Sequence, residues 1–356
     1  MTLKETDRTR LRRNAARARF DRTALNAIVD EALIAFVGVS TSNGPCVLPM
    51  AIGRIGTSLY LHGAIGNGLL RNALAGRDIC ATIAHVDGMV MAKSALHHSM
   101  NYRSAVVFGP PREVVGEEKA RALDAIVNHA LPGRSSELRA TTDAEARSTR
   151  VLALELAESS VKVRSGGPSE ASEDASLAIW NGVLPVRLRA EAPISASEVQ
   201  APASTLRLLA SSAPKLASAT LNGGVELCGD PSRLDFATVY RWLKTDSYWS
   251  DDLNWERFLE RIPRSFWVGA IREGELVGVA RALSDGNSFG WLCDVYVVPS
   301  TRGKGIGGGL VDHMLASFPW MRRWMLGTAS AHAFYARRGF ERVTSERLMV
   351  RRPTRT

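Results

Sequence analysis

The chain is 356 residues long, 45% hydrophobic and 23% charged, a globular composition whose length allows two domains. No apolar run approaches a membrane span, and Cys46, Cys80, Cys228 and Cys293 stand singly, without metal spacing, so a reducing cytoplasm is the simplest setting. The net charge of +9 is spread over both ends of the chain with no nucleic-acid motif, which favours a small anionic cofactor over nucleic acid as partner.

In chain order, residues 8–22 are rich in arginine but include Asp21 and lack an apolar h-region, so they read as a solvated amphipathic helix and not a secretory signal. Leu25, Ile28, Val29 and Leu33 share one face and predict a helix over 24–32. Strands over 34–40, 46–53 and 59–63 follow, the first two joined at Ser42-Asn-Gly-Pro45. A helix over 66–75 and strands over 79–85 and 104–109 complete a pattern of short strands and tight turns, which predicts an antiparallel barrel.

Five blocks stand along this stretch: Tyr60-Leu-His-Gly63, Asp87-Gly-Met-Val-Met-Ala-Lys-Ser94, His97-His-Ser-Met-Asn-Tyr-Arg-Ser104, Pro132-Gly-Arg134 and Trp180-Asn-Gly-Val-Leu-Pro185. In that order, over residues 19–193, they resemble the pyridoxamine 5'-phosphate oxidase-like flavin-nucleotide-binding family. The resemblance implies a split β-barrel that forms a homodimer with FMN at the interface. It places Met50, His62, Asn67, Tyr102, Arg103, Ser104 and Trp180 at the FMN site. Relatives carry Ser-Arg or Arg-Lys where this chain has Asn67-Gly68, so a phosphate cation is missing, and Arg71, Lys93 or Arg103 must replace it if FMN binds. A flavin-free barrel serving as a dimerisation or ligand-sensing module is the alternative.

His97 and His98 are adjacent and point in different directions, and no carboxylate stands at a ligand spacing from them, so no metal is expected. With His62 and His85 they read as hydrogen-bonded histidines near a polar pocket wall. A helix over 117–130, a strand over 150–156 and a loop from 165 follow. Residues 190–224 are rich in Ala, Ser and Pro and mark a connection, although 205–216 could form a short helix. The domains are accordingly 1–193, a linker 194–224, and 225–356.

The second domain opens with helices over 235–243 and through Phe258, separated by Thr245-Asp-Ser-Tyr-Trp249. Strands over 266–271 and 276–283 meet at Glu273-Gly274, and a strand over 290–298 ends at Pro299. Gly303, Gly305 and Gly307 then let the backbone turn with its N–H groups inward, and Leu310, Val311, Met314 and Leu315 recur at helical spacing. Such a turn at a helix start binds an anion, with Arg302 and Lys304 beside it. It lacks the Gly-Lys-Ser/Thr ending of a P-loop.

Arg302-Gly-Lys-Gly-Ile-Gly307, followed by Ala331-His-Ala-Phe-Tyr-Ala-Arg-Arg-Gly-Phe340, resembles the GNAT family of acetyl-CoA-dependent N-acyltransferases over residues 227–350. The resemblance implies that Val295, Val297, Arg302, Gly303, Lys304, Gly305, Ile306 and Gly307 hold acetyl-CoA, and that Tyr335 protonates the departing thiolate. Tyr335 has packing against Phe334 and Phe340 as its alternative role. A backbone N–H near Val295 is the candidate oxyanion donor. Asp294 is either the base or a structural acceptor, and Ser330 stands where relatives carry an acid. Tyr248 and Trp249 are acceptor-pocket walls or packing.

The fold class is therefore α+β, a split barrel followed by a GNAT mixed sheet. Three functions remain open: an acyltransferase of small-molecule amines beside a flavin-dependent oxidoreductase, an acyltransferase with a dimerising barrel, and a binding protein without turnover.

Overall fold

The structure, a computed structural model, describes residue 3 and residues 5–76, 78–196, 199–250 and 252–343. The last part of the GNAT-like stretch, 344–350, lies outside them. The chain divides into two compact units after Leu188. Among the described residues no helix is long and apolar enough to cross a membrane.

The first unit is an antiparallel sheet that changes partners along its longest connections. Gly44–Ile55 pairs with Ile34–Thr41 as far as Ala51, and from Ile52 onward with Ser58–Ala64. That handover splits the sheet into two leaves around a core that includes Leu25, Val37, Ile52, Leu61 and Leu152. Gly53 sits at the handover because the helix Gly116–Ala130 runs directly over it. A Cβ there would lie 2.6 Å from the Ile126 nitrogen.

Two expectations change here. Residues 8–22 are not a helix: Asn14 adopts the left-handed region at φ 57°, and only the single turn Ala15–Arg17 forms. Arg8 instead binds Asp78 at 2.5 Å and Glu158, and lies 5.3 Å from the centre of the Phe108 ring, strapping the segment to the sheet. The strands Ile79–Met91 and Ser99–Gly109 are longer than expected, and Glu158–Arg164 pairs beside the second of them.

The second unit is a six-stranded sheet in the order Ala219–Leu221, Val225–Cys228, Phe266–Arg272, Glu275–Ser284, Phe289–Val297, Arg323–Met325. Its last pair is parallel and the others antiparallel. Alternation sends Trp267 to one face, against Phe236 and Phe258 of the helices Phe236–Asp246 and Trp255–Arg261. Val268 goes to the other face, against Leu310, Val311 and Met314 of Ile306–Ala316. The supposed linker contains a packed helix, Ala203–Ser212, whose Leu206, Leu209 and Ala210 are buried in the Trp267 cluster. Small residues gave it the composition of a connection, but its leucines recur at helical spacing.

Candidate active site

The site begins with an extra residue. Val279 faces Tyr296 but Arg281 faces Cys293, so Phe289–Val297 bulges at Asp294, which takes φ 49°. A non-glycine residue in that region is strained, and the surroundings hold it there. Asp294 Oδ2 accepts from Arg281 Nε at 2.5 Å, both side chains are buried, and Arg281 also donates to Ser265 Oγ at 3.1 Å. Asp294 thus has the contacts of the structural acceptor, one of its two expected roles, and braces the bulge.

On its other side Phe289–Val297 pairs with Arg323–Met325 only from Phe289 to Trp291. Beyond Trp291 that edge, which includes Val295 and Val297, has no strand partner among the described residues. An edge without a strand partner can align an extended ligand, although the Val297 carbonyl on it accepts from Arg302.

The strand leads through a short turn, Pro299–Thr301, into the glycines. Gly303 and Gly305 take φ 78° and 83°, and a Cβ on either would enter open space. Backbone conformation requires glycine here, and the space over it is free for a ligand. A cavity of about 390 Å³ lies over this turn, lined by Arg302, Gly303, Gly305, Ile306 and Gly307. Arg302 Nε donates to the Val297 carbonyl at 2.8 Å, and its guanidinium lies 5.6 Å from the Tyr296 ring centre. Ile306 buries its side chain in the core and offers only backbone. Lys304 does not line the cavity and reaches the Ser300 carbonyl at 3.5 Å. Arg337, which sequence reasoning missed, does line it and is exposed.

A second cavity of about 630 Å³ shares Val297 and Arg302 with the first and is walled by Tyr248, Trp249, Trp291, Asp294, Val295 and Tyr335, among others. Tyr335 packs edge-on against Phe334 and Phe340, yet its hydroxyl has no hydrogen-bond partner among the described residues. Burial, then Tyr248, pushes its phenol above the usual range. Packing and an available hydroxyl thus coexist in one residue. Tyr248 accepts from the Ala329 N–H at 2.9 Å, which fixes the aromatic wall. Cys293 also lines this cavity, and burial pushes its thiol up to about 11. Tyr296 donates to Asp246 at 2.7 Å, and its phenol is pushed up to about 12, chiefly by burial.

In the first unit, Arg103 and Lys93 of the expected flavin set are held by other residues. Alternation puts Arg103 on the face of Ala105 and Val107, opposite Tyr102 and Ser104. Arg103 is committed to Asp87, at 2.7 and 2.9 Å, and to Glu31. Lys93 Nζ donates to the Asp174 and Ala175 carbonyls at 3.1 and 2.6 Å. Neither supplies the missing cation. Asn67 caps Gly68–Ala73 by accepting from Leu69 and Leu70, Met50 is buried in the core, and Trp180 is exposed. His62 is half-buried, its Nδ1 has no partner among the described residues, and burial pushes its imidazole below the usual range. Lys162, on a strand the sequence did not reveal, lies 5.9 Å from the Tyr102 ring centre.

His85 and His98 bond backbone carbonyls, of Ile28 and Ser94, each at 2.9 Å, as ordinary histidines do. His97 differs: its ligand atom and those of Glu170 and Asp174 lie within 4.8 Å of one another. The two carboxylates arrive from a loop far along the chain, so local spacing could not reveal them.

Comparison with known proteins agrees with this division. The family model described as pyridoxamine 5'-phosphate oxidase matches residues 21–163, and that of the GNAT acetyltransferases matches 236–340. The flavocytochrome Anf3 of Azotobacter vinelandii is 33% identical, with 57% of this chain and 97% of that one covered and a TM-score of 0.54. An FAD and haem binding protein of Mycobacterium smegmatis is 32% identical, covering 54% of this chain and 97% of its own, with a TM-score of 0.52. A Gibberella zeae protein named for acetyltransferase activity, FG08082, is 29% identical over 121 residues, 28% of this chain and 68% of that protein.

Proposed function

The chain belongs to the pyridoxamine 5'-phosphate oxidase family in its first unit and to the GNAT acetyltransferase family in its second, and on that footing we propose that it moves an acetyl group from acetyl-CoA to the amine of a small molecule. The observation that carries this reading is the glycine turn, with open space over Gly303 and Gly305, beside the cavity that Tyr335 lines and sharing Val297 and Arg302 with it as walls.

Acetyl-CoA supplies the acyl group as a thioester, and transfer forms a C–N bond as the C–S bond breaks. The backbone N–H groups of the turn, with Arg302 and Arg337, hold the pyrophosphate. The free strand edge at Val295 and Val297 aligns the chain that follows it. The Val295 N–H, set by the bulge, stabilises the developing oxyanion, and Tyr335 gives its proton to the departing sulfur. Asp294 takes no proton; the amine's surplus proton leaves to water, and water returns a proton to Tyr335.

Gly305→Val tests the cradle, because a branched side chain at φ 83° is strained and enters the ligand's space. Calorimetry is expected to find acetyl-CoA binding to the wild type and at least about 100-fold weaker binding to the variant, the loss of roughly 2.7 kcal/mol. Wild-type affinity in a folded variant would sink the reading.

For the first unit we propose a homodimer that holds a flavin weakly. The names of the two structural relatives support a flavin, and the committed Arg103 and Lys93 argue against a tight phosphate grip. Ile34, Phe36 and Val47 lie on one outer face of adjacent strands, exposed by 43%, 47% and 59%, and offer an apolar surface to a second copy. Four unpaired cysteines support a reducing cytoplasmic setting. The protein is expected to have twice the chain mass by light scattering and to purify with substoichiometric flavin. Gly68→Arg, whose Cβ enters open space, should tighten FMN about tenfold or more in quenching titrations, the worth of one charge-assisted hydrogen bond, and leave riboflavin unchanged. Full occupancy indifferent to the substitution would contradict this, and no flavin on either form would leave the barrel as a scaffold.

A further inference from the structure

The charged side chains lining the Tyr335 cavity are three arginines and two aspartates: Arg261, Arg281, Arg302, Asp246 and Asp294. Four of the five have short partners. Arg281 and Asp294 bind each other at 2.5 Å, Asp246 accepts from Tyr296 at 2.7 Å, and Arg302 is fixed to the Val297 carbonyl at 2.8 Å.

Arg261 is the exception. It stands at the end of the helix Trp255–Arg261 with its side chain 30% exposed, and its guanidinium makes no hydrogen bond among the described residues. Its nearest carboxylate is Asp294 at 3.6 Å, through the same oxygen that Arg281 already holds. Burial and the neighbouring Arg281 press its basicity down, as expected for a cation short of a partner. A half-buried guanidinium with a free planar fork is suited to bidentate capture of a carboxylate. Arg261, Cys293 and Tyr335 line the same cavity. Tyr248, Trp249 and Trp291 also line the cavity, are aromatic and exposed, and suit a flat apolar body.

We propose that the acceptor is an amine that also bears a carboxylate, an amino acid with an aromatic or apolar side chain, and that Arg261 binds that carboxylate. The proposal rests on the transferase reading of the same cavity, and its test separates the two.

Tryptophan, tryptophanamide and tryptamine serve as matched acceptors, and N-acetyltryptophan and its amide as matched product-side ligands, in the full-length protein. The carboxylate members are expected to have KM and Kd values lower than their counterparts without the carboxylate by roughly tenfold or more, as for a charge-assisted pair. Arg261→Gln should erase that preference by weakening the carboxylate ligand alone, and Arg261→Lys should keep part of it. Equal Kd for N-acetyltryptophan and its amide in the wild type, or a preference that survives Arg261→Gln, overturns the proposal. Calorimetry with acetyl-CoA alone reads the parent reading separately, and absence of binding there overturns both.

Discussion

Asp294→Asn should lower the melting temperature of the transferase unit by on the order of 10 °C. The substitution leaves Arg281, whose side chain is 8% exposed, facing a neutral amide. Removing one partner of a buried ion pair costs about 3–5 kcal/mol, and a unit of this size loses roughly 2–4 °C per kcal/mol. The bulge would lose its clamp as well, because the left-handed conformation at Asp294 persists only while its surroundings enforce it. Combining Asp294→Asn with Arg281→Met should recover part of the loss, since the more deeply buried arginine is then no longer stranded and only the part-exposed Arg261 has lost its carboxylate. Thermal unfolding followed by tryptophan fluorescence measures both. A variant that melts within about 2 °C of the wild type yet loses its rate would restore Asp294 as a base.

Tyr335→Phe should reduce kcat by roughly 100-fold or more, the usual scale for losing a general acid, with acetyl-CoA affinity nearly unchanged. The ring contacts with Phe334 and Phe340 survive in phenylalanine, so the melting temperature should stay close to the wild type. Because burial raises the phenol above its ordinary value near 10, its neutral, proton-donating form is full at neutral pH and is lost only as pH rises through the shifted value. The rate should therefore show no alkaline decline from this group below about pH 10. Equal losses of rate and acetyl-CoA affinity, with a lower melting temperature, would assign Tyr335 to packing.

What could be read from the sequence was local. The glycine turn, the helix after it and Tyr335 each declare themselves within a few consecutive residues, and the antiparallel character of the barrel follows from short strands between turns. What could not be read depends on pairings across the chain. Arg281 and Asp294 meet only because the sheet slips register at the bulge, so Asp294 looked as much like a base as like a clamp. Arg103 sits in a block resembling a flavin site, but Glu31 and Asp87 claim it from other elements. Arg261 appears as one more charge at a helix end, and only the crowd around Asp294 leaves it without a hydrogen bond. The helix Ala203–Ser212 was half legible: its leucines allowed a short helix over 205–216, while the small residues around them read as a connection.

Cys293 lines the same cavity as Tyr335, and burial pushes its thiol up to about 11, so it stands there chiefly as the thiol, which is not the nucleophilic form. On the transfer reaction proposed above, that disfavours parking the acetyl group on this cysteine and favours donor and acceptor meeting in a ternary complex. Double-reciprocal plots at several fixed acceptor concentrations should accordingly intersect, where a ping-pong enzyme would give parallel lines.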